Sequence, residues 1–155
     1  MLRRLILSFI ALATFSVVAS AQDAKQLYQQ GKALYEAKNY TEAVPKLKAA
    51  ADKGSKKALY RLGRCYEKGR GVQKDVNMAF SLYSKGAAKN NAKSQYALGR
   101  CYLRGKGVQA DKAQAKKWFT KAFKNPKGGS ELKSKVQKEA KGGDEKAKEI
   151  LQLIK

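Results

Sequence analysis

The chain has 155 residues and a formal net charge of +22, from 34 Lys plus Arg against 12 Asp plus Glu, and contains no His. That length suits one ordinary domain or a short repeat array, and a hydrophobic fraction of 43% excludes a disordered polybasic tail. Without His, the commonest general base and the commonest neutral metal ligand are both missing, so an enzyme is the lesser expectation and neither a metal nor a cofactor is foreseen.

Residues 1–21 read MLRRLILSFIALATFSVVASA: Arg3 and Arg4, an apolar run from Leu5 to Val18, then Ala19-Ser20-Ala21. This is the three-part pattern of a secretory signal peptide, with cleavage expected after Ala21 and a periplasmic or secreted product. The run is short for a membrane-spanning helix and lacks a basic flank on its far side, which makes a permanent anchor the weaker reading. The first cysteine is Cys65, so no N-terminal Cys is available for lipid modification. Loss of Arg3 and Arg4 leaves 32 basic and 12 acidic side chains, a net of +20 on Gln22–Lys155.

The remainder, residues 22–155, reads as one domain built from repeats. A first unit, about 24–54, carries Leu27, Gly31 and Leu34 on one helix. Asn39-Tyr40-Thr41-Glu42-Ala43 opens a second helix, with Leu47 and Ala50 inward and Pro45 expected in its first turn, where proline costs least. Two further units, about 57–90 and 93–125, repeat with a period of 36 residues. Tyr60, Leu62-Gly63-Arg64-Cys65-Tyr66, Gly69, Gly71-Val72-Gln73 and Asp75 recur as Tyr96, Leu98-Gly99-Arg100-Cys101-Tyr102, Gly105, Gly107-Val108-Gln109 and Asp111.

Leu59, Leu62, Gly63 and Tyr66 fall at i, i+3, i+4 and i+7, the apolar stripe of an amphipathic helix. Gly69 and Gly71, like Gly105 and Gly107, are placed to end that helix, because glycine takes a left-handed cap without strain. Asp75 and Asp111 are N-caps for a second helix, and Gln114 is spaced to complete a capping box with Asp111. Gly63 and Gly99 are expected to let the two helices of a unit approach closely. Each unit is therefore a helical hairpin that cannot bury its own apolar face, so the hairpins must stack. Pro126-Lys127-Gly128-Gly129 breaks the pattern, and two final helices within 130–154 (Ser130 to Lys141, Asp144 to Ile154) read as a polar C-terminal cap.

The string L-G-x-C-Y-x-x-G-x-G-V-x-x-D, present twice, resembles the Sel1-like repeat (SLR) family, and the first unit is similar to the related tetratricopeptide repeat. The resemblance implies an all-α, right-handed α/α solenoid that acts as an adaptor, offers a concave surface to peptides or partner proteins, and has no catalytic chemistry as a class. A cysteine-rich subset of exported SLR proteins is described as β-lactam-binding. That subset pairs cysteines within each repeat, a pattern this sequence lacks.

Cys65 and Cys101 stand at equivalent places in neighbouring units. Packed helices lie about 8 to 10 Å apart, whereas a disulfide wants Cα atoms at roughly 4.4 to 6.8 Å. Two buried free thiols are the main expectation, with an inter-repeat bridge as the alternative.

Aligned on Gly31, Gly63 and Gly99, the first helices share a second pattern. Lys25, Tyr28 and Lys32 are spaced i, i+3, i+7, as are Lys57, Tyr60 and Arg64, and Lys93, Tyr96 and Arg100. Each trio shares one helical face. In tetratricopeptide arrays this face lines the groove, so the resemblance implies a basic, Tyr-lined groove for an acidic or C-terminal peptide segment. The competing reading has Tyr60 and Tyr96 packing on the next repeat beside a solvated basic flank. Glu36 and Glu67 weigh against a purely anionic ligand. Lysines from Lys112 to Lys148 add a diffuse positive field, which leaves binding to envelope or extracellular polyanions (lipopolysaccharide, acidic polysaccharide, nucleic acid) as an alternative function.

Overall fold

A computed structural model describes residues 21–155. The expected export signal lies outside the described residues except for Ala21. Eight helices and no strands occur among the described residues: α1 (21–36), α2 (Tyr40–Asp52), α3 (Lys56–Lys68), α4 (Val76–Ala88), α5 (Ala92–Arg104), α6 (Lys112–Phe123), α7 (Gly129–Lys141) and α8 (Glu145–Leu153). No helix among the described residues is long and apolar enough to cross a membrane.

Local chemistry sets the helix boundaries. Ser55, Asn91 and Asp144 accept from Ala58 N–H, Ser94 N–H and Ala147 N–H, and Asp75 caps α4 by accepting from Asn77 N–H and Met78 N–H, both at 2.9 Å. Helices α3 and α5 end on Gly69 (φ 67°) and Gly105 (φ 63°) in the left-handed conformation.

Two local expectations are corrected. Pro45 is the sixth residue of α2, beyond its first turn. It is tolerated because Thr41, whose carbonyl loses its i+4 partner, is exposed to water on the outer face. The reciprocal half of the capping box at Asp111 is not made. Asp111 accepts from Gln114 N–H at 2.9 Å, but its own N–H already donates to Tyr102 O at 2.9 Å, leaving nothing for the Gln114 side chain to accept. Asp75 N–H donates likewise to Tyr66 O at 3.0 Å, so each Asp ties its loop back onto the preceding helix.

The helices pair as α1–α2, where Gly31 and Leu34 pack with Leu47 and its cluster, and as α3–α4 and α5–α6; each of α2, α4 and α6 also packs on the helix that follows it, and α7–α8 close the row. The core is a chain of three apolar clusters: Leu47, Leu59, Leu62 and Leu82; then Tyr83, Ala87 and Leu98; then Phe119, Phe123, Val136 and Ile150. Tyr66 bridges the first two clusters and Tyr102 the second two, so burial is continuous along the stack. The glycine of each first helix seats one large side chain of its partner helix: Gly31 faces Leu47, Gly63 the Tyr83 ring and Gly99 the Phe119 ring.

Gly71 (φ 69°) and Gly107 (φ 70°) have a different duty. A Cβ at Gly71 would overlap the Tyr40 carbonyl at the start of α2, and one at Gly107 the Val76 carbonyl at the start of α4. These second glycines therefore fix how closely one unit's loop sits on the preceding unit.

Candidate functional site

The first helices of successive hairpins lie side by side, with α7 as the fourth, and the concave face they form holds a groove of about 790 Å³. Tyr28, Lys32 and Tyr35 enter it from α1, Lys57, Tyr60, Arg61 and Arg64 from α3, and Lys93, Tyr96 and Arg100 from α5. Arg70 joins them from the loop after α3, while Lys127, Glu131, Lys135 and Glu139 form the wall around α7. Eight of the nine side chains of the basic and tyrosine pattern thus surround one space. Lys25 is exposed and is not among the lining residues.

Both readings of the tyrosines describe part of the geometry. Tyr60 lies 6.1 Å from the Tyr83 ring, and Tyr96 lies 5.3 Å from Phe119 and 6.0 Å from Phe123, so each ring presses on the core while its residue also lines the groove. Burial pushes the Tyr96 hydroxyl up to about 12. The Tyr28 hydroxyl accepts from Arg61 Nε at 3.2 Å, and the Tyr60 hydroxyl from Arg64 Nη1 at 3.2 Å.

Nine basic side chains line the groove with two acids, Glu131 and Glu139; two further acids, Glu36 and Glu67, lie outside the lining. Glu36 sits 3.9 Å from Lys32 and 3.0 Å from Arg61. Glu67, only 9% exposed, accepts from the Tyr83 hydroxyl at 2.9 Å and lies 3.5 Å from Arg100 and 3.8 Å from Lys106. Burial by itself would raise the Glu67 pKa; the Tyr83 hydrogen bond and the Arg100 and Lys106 charges outweigh it and hold the carboxyl below its ordinary value. These two acids therefore compensate their own basic neighbours.

The charge pattern alone missed Tyr35, Arg61 and Arg70. Tyr35 lies seven residues after Tyr28, on the same face, and Arg70 stands between Gly69 and Gly71 as Lys106 stands between Gly105 and Gly107, so both had a signal in the repeat. Arg70 Nη1 donates to the Tyr35 hydroxyl at 2.7 Å, and its guanidinium lies over the Tyr35 and Tyr40 rings at 5.7 and 5.1 Å. A second group without a pattern signal is the amide cluster of Asn90, Gln95 and Asn125. Asn125 Nδ2 donates to Asn90 Oδ1 and Gln95 Oε1, both at 2.9 Å, and Lys127 N–H donates to Asn125 Oδ1 at 2.9 Å. That cluster anchors the segment leading into the α7 wall.

Cys65 and Cys101 are buried and unbridged, and burial pushes each thiol up to about 11. Among the described residues no three or more of His, Cys, Asp and Glu converge to hold a metal ion.

A row of helical hairpins with a lined concave face is the architecture of an α/α-solenoid binding scaffold. The chain carries two Sel1 repeats: the Sel1 repeat family matches residues 56–91 and 92–126. It is similar to the Sel1 repeat protein of Oxalobacter formigenes, with 34% identity and a TM-score of 0.63 over 69% of this chain and 46% of that one. It is also similar to a protective antigen of uropathogenic Escherichia coli strains displaying an SLR fold, with 28% identity and a TM-score of 0.65 over 85% and 29%. Cysteine rich protein B of Helicobacter pylori matches at 28% identity and a TM-score of 0.55 over 68% and 90%. Among curated proteins, the ERAD-associated E3 ubiquitin-protein ligase component HRD3 of Candida glabrata is 40% identical over 55 residues, 36% of this chain and 7% of that protein. The chain thus spans less than half the length of HRD3 and of the first two solved relatives. Sel1-repeat proteins are generally non-catalytic scaffolds that bind protein partners.

Proposed function

We propose that the protein is an exported, non-catalytic interaction module that holds an acidic peptide segment of a partner protein in its concave groove. The observation that carries this reading is the convergence of the basic and tyrosine pattern from three successive units on one 790 Å³ space with nine basic and two acidic side chains around it. Tyrosine contributes contact area and a hydroxyl at low entropic cost, and Lys and Arg contribute charge-assisted hydrogen bonds to carboxylates. Export rests on the N-terminal segment of the sequence, Met1 to Ala21.

Pull-down from envelope extract with the mature chain tests it. A partner that survives high salt and is lost from the Tyr60→Ala, Tyr96→Ala double variant supports the groove; a bound set that ignores the double variant overturns it. A second reading, binding of envelope polyanions, draws on exposed lysines away from the groove such as Lys112, Lys116, Lys117 and Lys124 on and after α6. It requires binding that collapses with salt and is indifferent to Tyr60 and Tyr96.

A further inference from the structure

Lys32, Arg64 and Arg100 occupy the same position in three successive units and all line the groove. Their electrostatic situations differ. Lys32 has Glu36 at 3.9 Å and Arg100 has Glu67 at 3.5 Å, whereas Arg64 makes no ion pair among the described residues. The residue four positions after Lys32 is Glu36; the one four positions after Arg64 is Lys68, which removes the same compensation from the middle unit. Among the described residues the one hydrogen bond of the Arg64 side chain goes to the Tyr60 hydroxyl at 3.2 Å, and its Nε is shielded from solvent without a partner there.

A half-buried guanidinium with neither counter-charge nor a full set of acceptors is unfavourable unless something else supplies them. Arg70 is the other groove arginine without an ion pair among the described residues, and Lys57 and Lys93 flank the same stretch. Uncompensated positive charge is thus concentrated in the middle of the groove, while Glu131 and Glu139 stand at the α7 end. Those two acids disfavour a densely charged polyphosphate chain and fit a peptide with intermittent carboxylates.

We propose that Arg64 is the docking cation of the groove, taking one carboxylate of the bound peptide, and that Lys32 and Arg100 chiefly hold Glu36 and Glu67. This deepens the acidic-peptide reading and rests on it. A planar guanidinium recognises a planar carboxylate in a way that a lysine does not.

Fluorescence anisotropy of the mature chain with two labelled probes tests the assignment. One probe is a short oligoglutamate peptide with an amidated C-terminus, which offers side-chain carboxylates alone. The other is a neutral Gly-Ser peptide of equal length with a free C-terminus, which offers a terminal carboxylate alone. Arg64→Gln is expected to weaken whichever probe docks at Arg64 by about tenfold or more, which also identifies the source of the carboxylate. Lys32→Gln and the distant control Lys116→Gln remove the same unit of charge and are expected to weaken it less, Lys116→Gln least. Arg64→Lys keeps the charge without the fork and is expected to fall between wild type and Arg64→Gln; it carries the comparison if Arg64→Gln loses its helical circular dichroism. Equal losses in Arg64→Gln and Lys32→Gln, or wild-type affinity in either Arg64 variant, overturn the assignment while leaving the groove reading in place. A wild-type chain that binds neither probe overturns both.

Discussion

The Tyr83 hydroxyl donates to the Glu67 carboxylate at 2.9 Å, joining the two helices of the middle hairpin inside the stack. The other oxygen of Glu67 faces Arg100 and Lys106 of the next hairpin, so one buried acid ties two units together. Because the folded-state pKa of Glu67 is lowered, its contribution to stability is fully present above the ordinary carboxylate value of 4.5 and is lost as pH falls through the lowered value. Glu67→Gln is expected to destabilise the protein by about 1–3 kcal/mol near neutral pH and to flatten the acid side of a stability-versus-pH profile. Urea melts between neutral and acid pH check both parts; an unchanged acid limb contradicts the assigned role.

The second glycine of each loop predicts a steric asymmetry. Gly71→Ala places a Cβ against the Tyr40 carbonyl at a backbone φ of 69°, so strain and overlap add. A loss of about 2 kcal/mol or more is expected. Gly128→Ala shares the positive φ, at 95°, but nothing lies within 4 Å of its Cβ, and the loss should be smaller. Thermal denaturation of the two variants ranks them; equal losses would mean that the contact between units is not tight.

The amide cluster carries a third expectation. Gln95 is fully buried, and Asn125 is 5% exposed and bonded to both Asn90 and Gln95. Gln95→Ala removes one acceptor for Asn125 and opens a void, for an expected loss of about 1–3 kcal/mol. It should also loosen the start of α7, seen as faster amide exchange around Lys127 and Gly128. Exchange that stays at the wild-type rate there would separate the cluster from the groove wall.

Both cysteines should be chemically silent in the folded chain. With thiols pushed up to about 11, neither is appreciably ionised near neutral pH, and both side chains are covered. A thiol reagent is expected to label them only on unfolding, with two free thiols then counted. Fast labelling of the native protein, or no free thiol in the unreduced unfolded chain, contradicts this.

The fold was legible because its signals are local and repeated. Leu59, Leu62 and Gly63 mark one helical face, and Gly69, Gly71 and Asp75 punctuate the loop at a spacing that Gly105, Gly107 and Asp111 reproduce. Periodicity also brought Tyr60 and Arg64 to the same face as Lys57. Pairing across units was not legible. That Glu36 and Glu67 neutralise Lys32, Arg61 and Arg100, while Arg64 is left uncompensated among the described residues, depends on contacts between residues 25 and 33 apart in sequence as well as within one helix. The same holds for Asn90 and Asn125, which meet only because the third hairpin folds back beside the second. Gln114 shows the limit of a local rule: its capping-box spacing is correct, but the loop had already used the Asp111 N–H.

Site-specific photo-cross-linking in producing cells separates a partner held in the groove from one held by surface charge. A cross-linker at Lys93, which lines the groove, is compared with one at Lys116, which is exposed away from it. A groove-bound partner gives a discrete protein adduct from Lys93, abolished by Tyr60→Ala with Tyr96→Ala, and none from Lys116. An adduct formed equally from both positions, or from Lys116 alone, would contradict a groove-bound partner.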